Sequence, residues 1–354
     1  MIKLGKLSDI YDFQYGKGNN NPDNGGVYPV YGSNGIIGGY DKFNSEDAPV
    51  IGHIGANAGS VVFAKGKHFV TYNGVICKIK DCADKMYGYY ALLTSNLKQI
   101  AFGSAQPFVS YNSLDRIAVY LPPVETQQKI STILCSYDNL IENNNRRIAL
   151  LEKAAQELYK EWFVRFRFPG YENTQFENGI PKGWEYVKLG EYANISTGKC
   201  NREDAEEDGM YPLFDRSQEI KKSSVWLKDC EAIIVPGEGT SFIPRYYKGK
   251  FNLHQRCYCV EPKTSKTGKF LFYTLMLNRI YFLYVATGAT VPSLRQNNFT
   301  NMKIIMPKME LVNKYDGIVS SFIDEINSLK EKNENLIKQR NLLLPRLMSG
   351  KLEV

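Results

Sequence analysis

The chain offers few side chains of the types that perform covalent catalysis or hold a metal ion. It has seven cysteines and three histidines in 354 residues, and no two cysteines have the Cys-x-x-Cys spacing typical of zinc and redox sites. Cys257 and Cys259 flank one residue, which in a strand places both side chains on one face. We interpret them as reduced core cysteines, so the sequence predicts neither a metal site nor a disulfide framework.

Motifs that bind nucleotides or transfer methyl groups are not found in the sequence either. Gly52, Gly55 and Gly59 lack the spacing of a dinucleotide-binding fingerprint, and no Gly-Lys-Ser/Thr phosphate loop occurs. An adenine methyltransferase would need Asp/Asn-Pro-Pro-aromatic, but Leu121-Pro122-Pro123-Val124 has apolar residues where the amide and the ring should be. We interpret this string as a helix start, because proline is favoured in the first turn. The sequence predicts a non-catalytic binding protein.

An internal repeat shows how the chain is organised. Gly103, Pro107, Asn112 and Pro122 return 185 positions later as Gly288, Pro292, Asn297 and Pro307. Short strand-like runs and one helix in each copy predict two similar globular α+β domains, at 1–123 and 185–307, joined through a linker at 167–184 that contains several turn residues. Because diverged copies commonly bind a target in two parts, we expect a bipartite ligand.

A long helix is predicted after each domain, at 124–166 and within 308–354. Apolar residues in both recur at alternating spacings of four and three, which is the seam of a coiled coil. The central seam positions are Ile141, Asn144, Ile148, Leu329, Asn333 and Leu336. We expect an antiparallel pair with pseudo-twofold symmetry, in which seam partners have residue numbers that add to 477.

That register pairs Asn144 with Asn333, Ala155 with Phe322, and Tyr137 with Arg340. Helices of about 33 residues would form a rod of about 50 Å that acts as a ruler between the domains. The alternative is two ordinary amphipathic helices, each packed on its own domain.

The bulk properties are compatible with a polyanionic partner. The formal net charge is +7 and the isoelectric point is near 8.8, which suits nucleic acid without requiring it. The N-terminus lacks the apolar run of a signal peptide. The most apolar stretch, 270–291, is interrupted by Asn278, Arg279 and Gly288, so we expect a core helix and a loop there and a cytoplasmic protein with no membrane contact.

Four segments resemble type I restriction–modification specificity subunits. They are the run from Leu150 to Gly170, Ile180-Pro181-Lys182-Gly183-Trp184, Leu121-Pro122-Pro123 at the start of the first long helix, and Leu344-Pro345-Arg346-Leu347-Met348-Ser349-Gly350. The resemblance implies that each globular domain is a target recognition domain for one half of a split double-stranded DNA sequence. It also implies that the long helices set the unread spacer and dock two copies of a DNA methyltransferase subunit, which modifies adenine.

The resemblance leaves open whether a restriction subunit joins to make an ATP-dependent nuclease. It implies no cofactor in this chain, since S-adenosylmethionine, and ATP with magnesium, would bind the partners. A protein–protein scaffold with duplicated ligand-binding domains is the alternative function.

If DNA is the ligand, polar loop residues in corresponding places of the two copies are the candidate base readers. Arginine pairs with guanine and asparagine or glutamine with adenine in the major groove. The predicted base-reading residues are Ser33, Asn34, Asn57, Tyr72, Asn73, Ser104, Gln106, Asp215, Arg216, Ser217, Thr240, His254, Gln255, Arg256, Thr290 and Arg295. The predicted phosphate contacts are Lys65, Lys67, Lys248 and Lys250. For any one of these residues, ordinary surface polarity is the alternative.

Overall fold

The computed structural model describes residues 4–18, 23–103 and 106–354. The chain divides into two compact units. Unit 1 comprises Met1–Asn145 and Leu329–Val354, and unit 2 comprises Arg146–Ser328. Each unit contains a six-stranded sheet together with helices, which confirms the α+β class.

Unit 1 is built around a sheet with the strand order β2-β7-β5-β6-β3-β4. Its strands are β1 (Leu4–Lys6), β2 (Tyr11–Tyr15), β3 (Tyr28–Gly32), β4 (Gly35–Tyr40), β5 (Ser45–Gly52), β6 (Val61–Val70), β7 (Gly74–Ile79) and β8 (Ala118–Tyr120). Its helices are α1 (Leu7–Ile10), α2 (Lys85–Thr94), α3 (Tyr111–Asp115) and the first part of α4 (Val124–Tyr159). Strands β3 and β6 pair in parallel, and the other sheet neighbours pair antiparallel.

Unit 2 repeats this sheet in the equivalent order β12-β17-β15-β16-β13-β14. Its strands are β9 (Phe176–Glu177), β10 (Ile180–Pro181), β11 (Glu185–Lys188), β12 (Ala193–Thr197), β13 (Tyr211–Phe214), β14 (Lys221–Ser223), β15 (Lys228–Pro236), β16 (Arg245–Leu253), β17 (Cys257–Pro262) and β18 (Lys303–Met306). Its helices are α5 (Leu189–Tyr192), α6 (Gly268–Leu277), α7 (Arg279–Val285), α8 (Gln296–Thr300) and the first part of α9 (Met309–Met348). The parallel pair recurs as β13 and β16, so the structure confirms the internal repeat.

The core of each unit forms where buried strands meet the helix that follows the sheet. In unit 1, Ile51 and Val75 pack in one cluster with Tyr87 of α2, and Asp84 caps that helix by accepting a hydrogen bond from the Tyr87 amide at 2.8 Å. In unit 2, Ile233 packs in one cluster with Phe270 of α6. Strands with apolar residues at successive positions must be shielded from water on both faces. These helices shield one face of each sheet.

In unit 1, α4 and α9 run antiparallel in the predicted register. Asn144 Nδ2 donates to Asn333 Oδ1 at 2.8 Å, and Asn333 Nδ2 donates to Asn145 Oδ1 at 2.9 Å. The predicted register pairs Arg340 with Tyr137, but the ion pair of Arg340 is with the next residue, Asp138. Arg340 Nη1 lies 2.6 Å from Asp138 Oδ1. The carboxylate attracts the guanidinium more strongly than the phenol can.

Unit 2 contains the other halves of the same two helices. The ring centroids of Trp162 and Tyr315 lie 6.2 Å apart, and these residues also satisfy the predicted register. Ala155 is 1% exposed, and its carbonyl accepts a hydrogen bond from the Tyr315 hydroxyl at 3.3 Å. Helix-to-helix contact in each unit rules out the alternative in which each helix packs only on its own domain. No helix of the described residues combines the length and apolarity required to cross a membrane.

Candidate nucleic-acid interface

Four connections of unit 1 converge on a cleft of about 380 Å³. They are the β3–β4 turn, the β5–β6 loop, the β6–β7 turn and the segment between α2 and α3. Five of the predicted base-reading residues line this cleft: Ser33, Asn34, Asn57, Asn73 and Gln106. The polar side chains of this lining are amides and a hydroxyl, which form hydrogen bonds but carry no charge.

Hydrogen bonds within the cleft hold three of these side chains, and the side chains of two others are exposed. Ser33 Oγ donates to the Asn73 carbonyl at 2.6 Å, so this hydroxyl joins two of the loops. The side-chain amide of Asn57 donates to Asn34 Oδ1, which orients both amides. The side chains of Asn73 and Gln106 are exposed, where an incoming ligand could reach them.

Tyr72 presents an aromatic ring next to Asn73. It is 42% exposed, and its ring meets the His53 ring edge-on at 5.6 Å between centroids. Burial lowers the pKa of His53 even though the Val109 carbonyl accepts from its Nδ1 at 2.9 Å. His53 is therefore neutral at pH 7 and supports the exposed ring without adding charge to the cleft.

The equivalent connections of unit 2 converge on a cleft of about 340 Å³. Its lining includes the four predicted residues Asp215, Arg216, Ser217 and His254. Glu238 and Gly239 of the β15–β16 loop, and Val291 of the segment between α7 and α8, complete it. The two copies thus use matching connections to form a cleft, although the side chains that line it differ.

Asp215 is a structural member of the second cleft. It is 5% exposed, and its carboxylate accepts from Lys221 Nζ at 2.6 Å and from the Ser217 amide at 2.7 Å. Burial alone would raise the pKa of Asp215, but these hydrogen bonds lower it to about 2. Asp215 and Ser217 therefore stabilise the β13–β14 turn, and their contact with bases stays a prediction.

His254 is also largely enclosed. It is 6% exposed, and its Nδ1 accepts from the Arg256 amide at 3.0 Å. Burial, followed by the charge of Arg216, lowers the pKa of His254, so the ring is neutral at pH 7. Its observed role is to hold the β16–β17 turn that presents Arg256.

Two arginines share one carboxylate at the second cleft: Arg216 lines the cleft, and Arg256 lies beside it, against Glu238. Arg216 Nη1 lies 2.6 Å from Glu238 Oε2, and Arg256 Nε lies 3.5 Å from Glu238 Oε1. The side chain of Glu238 is 16% exposed, whereas those of Arg216 and Arg256 are 47% and 55% exposed. Sequence reasoning did not select Glu238, because its importance arises only when three separate loops meet.

The remaining predicted base readers of unit 2, Arg256 included, lie outside the lining of this cleft. Thr240, Gln255, Thr290 and Arg295 are exposed. Gln255 Nε2 donates to Asn201 Oδ1, and the backbone amide of Arg295 donates to Asn298 Oδ1 at 2.6 Å, where α8 begins. Ser104 of unit 1 lies outside the described residues.

The four predicted phosphate-binding lysines are exposed but differ in their contacts. Lys65 Nζ lies 2.6 Å from Glu142 Oε2 of α4. Lys67 and Lys250 lie over aromatic rings, of Phe43 at 4.7 Å and of Trp226 at 5.0 Å. Lys65 is already paired with an acid, so Lys67, Lys248 and Lys250 are the better candidates for phosphate.

Gly103 and Gly288 occupy matching positions in the segments that close the two clefts. Their φ angles are +102° and +128°, a region that side chains disfavour. A Cβ atom would lie 2.9 Å from the Gln106 carbonyl oxygen at Gly103 and 2.5 Å from the Val291 carbonyl oxygen at Gly288. The repeat retains glycine at both places because the loop backbone folds closely on itself there.

Two of the cysteines, Cys257 and Cys259, were predicted to be core residues on one face of a strand. Cys257 and Cys259 are both fully buried and pack in one cluster on β17, which confirms that they are core residues on one face. Cys230, Cys259 and Glu261 place their potential ligand atoms within 4.8 Å of one another. Lys228 Nζ lies 2.7 Å from Glu261 Oε2, so that carboxylate already has a cationic partner.

Comparison with known proteins agrees with this architecture. The model of the type I restriction modification DNA specificity domain matches residues 2–153 and 181–339. The MjaIX specificity subunit of Methanocaldococcus jannaschii, a type I restriction enzyme subunit, is 28% identical over 307 residues, which cover 78% of this chain and 71% of that protein. The MjaVIII specificity subunit of the same organism is 27% identical over 335 residues, covering 85% and 78%.

The fold is shared with a solved structure. The S subunit of a type I restriction–modification system from M. genitalium superimposes with a TM-score of 0.67 at 18% identity, over 98% of this chain and 96% of that one. Both copies of the repeat are matched by the family model, and the family resemblance inferred from the helices and the linker is confirmed. The chain belongs to the family of type I restriction–modification DNA specificity subunits.

Proposed function

We propose that this chain is a non-catalytic recognition subunit that binds a bipartite double-stranded DNA sequence, with each unit reading one part. The observation that carries the proposal is the pair of matching clefts. The same connections form both, and Gly103 and Gly288 are retained while the lining side chains differ. A constant framework with variable polar lining is suited to reading two different base sequences.

The lining residues have the chemistry that base recognition requires. Sequence is read by hydrogen bonds to base edges, whereas phosphate contacts position the protein. Unit 1 offers exposed amides at Asn73 and Gln106, the type that pairs with adenine, and unit 2 offers guanidinium groups at Arg216 and Arg256, the type that pairs with guanine. The formal net charge of +7 favours approach to a polyanion.

Family membership supports a complex in which partners perform the chemistry. In this proposal, two copies of a DNA methyltransferase subunit dock on the chain, bind S-adenosylmethionine and modify adenines in the target. Where a restriction subunit also joins, that subunit uses ATP and magnesium for cleavage. The chain itself supplies recognition and holds no cofactor.

Selection from a random duplex pool at several salt concentrations tests the proposal against the scaffold alternative. The full chain is used in complex with the methyltransferase encoded beside it, and the methyltransferase alone is the control. We expect a split motif to be enriched only by the complex, with affinity that falls steeply as salt rises, because phosphate contacts release counterions. Failure to bind duplex DNA even at low salt would favour the scaffold.

A further inference from the structure

We propose that Glu238 is a positioning residue that gives the half-site bound by unit 2 a requirement for guanine. This inference rests on the proposed function and makes it more specific. Glu238 contacts both Arg216 and Arg256, which come from different connections. Glu238 and Arg216 line the cleft, and the same carboxylate holds Arg256 beside it. Pre-organised donors discriminate between bases better than flexible ones, because less conformational freedom is lost on binding.

The backbone on either side of Glu238 is held from two directions. The Gly237 amide donates to the Arg256 carbonyl at 2.8 Å, and the Gly239 amide donates to the Pro292 carbonyl at 3.0 Å. Glu238 also forms a bridge with Ser293. These contacts hold the backbone of Glu238 in place, and both arginines pair with its carboxylate.

Both arginines keep donors in the geometry that guanine needs. Arg256 meets Glu238 through Nε, which leaves its two terminal nitrogens for an end-on pair of hydrogen bonds. Arg216 meets Glu238 through Nη1, which leaves Nε and Nη2 along its other edge. A guanidinium has five donors in a fixed fork, and two adjacent ones match the O6 and N7 acceptors of guanine.

The matching position in unit 1 lacks a carboxylate. Ile54 forms the bridge to Phe108 that Glu238 forms to Ser293, and Phe108 and Ser293 are separated by the repeat offset of 185. Among the residues that the structure describes, the lining of that cleft consists of amides, a hydroxyl, glycines and aliphatic side chains. The arginine-based requirement for guanine therefore belongs to one half-site only.

The charges around the second cleft allow a loss of guanine discrimination to be distinguished from a loss of folding. Around the second cleft, Arg216, Arg256, Lys221 and Arg245 are cationic, and Glu238 and Asp215 are anionic. Replacing Glu238 by glutamine makes the cleft more positive while it frees the arginines. Binding to unrelated duplex should therefore become tighter while discrimination at guanine becomes weaker, a combination that simple structural damage would not produce.

The experiment compares wild-type chain with Glu238→Gln, each co-expressed with its methyltransferase, by sequencing of modified bases and by binding of the purified complexes to duplex. The probes are the wild-type motif, the same duplex with 7-deazaguanine in one half, and an unrelated duplex. We expect the wild-type complex to lose on the order of tenfold in affinity when N7 is removed from the half bound by unit 2. The Glu238→Gln complex should lose much less, and its motif should broaden at that guanine alone.

Two further variants complete the design. Glu219→Gln removes a carboxylate from the same turn as Arg216, where Glu219 contacts Ser217 through its backbone oxygen. It should keep the wild-type requirement for guanine, so it controls for the loss of one negative charge. Arg256→Lys keeps the charge but removes the fork, and it should reproduce the loss at guanine even if Glu238→Gln folds poorly. An unchanged guanine requirement in a folded Glu238→Gln complex overturns the role of Glu238 and leaves the recognition function standing. An unchanged requirement in Arg256→Lys, or a motif without guanine, does the same. If the wild-type chain gives no motif at all, the recognition function itself fails, and the inference fails with it.

Discussion

Asn144 and Asn333 form a buried side-chain hydrogen bond of 2.8 Å between α4 and α9 of unit 1. They are 8% and 6% exposed, and apolar residues occupy the seam positions around them. A polar pair in an apolar seam favours one register, because any shift would bury both amides without partners.

Replacing Asn144 by leucine should therefore destabilise the chain by about 1–3 kcal/mol, since the Asn333 amide would lose a partner in a buried setting. The double replacement Asn144→Leu with Asn333→Leu should recover most of that loss. Chemical denaturation of the full chain measures both free energies of unfolding. Asn143→Leu, at an exposed position, serves as the control. A single variant as stable as wild type would show that the pair does not select the register.

Arg340 places a charged side chain at a seam position of α9, and its partner explains why it is tolerated. Asp138 accepts from Arg340 Nη1 and from the Tyr90 hydroxyl, both at 2.6 Å. Replacing Arg340 by methionine should cost on the order of 1 kcal/mol, because Asp138 would remain partly buried with one donor fewer. Thermal unfolding of Arg340→Met, Asp138→Asn and the double variant gives the coupling energy. Strictly additive losses would mean that the two side chains act independently.

Acid stability should depend on Asp215. The pKa of this carboxyl is about 2 in the folded chain and about 4 in an unfolded one. A depressed pKa contributes stability that is fully present above the unfolded value and is lost as pH falls from about 4 to about 2. The contribution is on the order of 2 kcal/mol at neutral pH.

Denaturant titration at several pH values between about 5 and about 2 tests this prediction by measuring the free energy of unfolding. The lowered pKa of Asp215 sets that pH range. Asp215→Asn should show a shallower loss of stability on acidification than wild type, because it removes one group that must be protonated. Parallel curves for the two proteins would mean that Lys221 and Ser217 do not stabilise the charged form.

Lys248 is exposed and lies on β16. Its run Lys248-Gly249-Lys250 matches Lys65-Gly66-Lys67 of unit 1, where Lys65 has an acidic partner. Replacing Lys248 by alanine should weaken binding to every duplex by a similar factor and reduce the slope of log affinity against log salt by about 0.9, the value for one phosphate contact. Lys129→Ala, on the exposed surface of α4, is the control. An unchanged slope would remove Lys248 from the phosphate contacts.

The parts of the fold that follow from periodicity could be predicted from the sequence. The spacing of Asn144 and Asn333 within their seams is a local property, and it leads directly to the observed register. The parallel pairing of β3 with β6 could not be predicted in this way, because strand order depends on contacts between segments that are distant in the chain.

The candidate site shows the same division between local and long-range information. Polarity and repeat position identified Arg216 and Arg256, which are local features of two loops. Whether a polar loop residue faces a ligand or its own backbone depends on its neighbours in space. Asp215 and His254 form hydrogen bonds within their own turns, and Glu238 contacts both arginines only because three connections meet.

The most direct test of the central claim is modification-sensitive sequencing of DNA from cells that express this chain with its neighbouring methyltransferase, compared with cells that express the methyltransferase alone. The account predicts modified adenines in a split motif that appears only when the chain is present. Methylation that is absent in both cases, or that follows the same motif without the chain, would contradict the claim that this chain selects the DNA sequence.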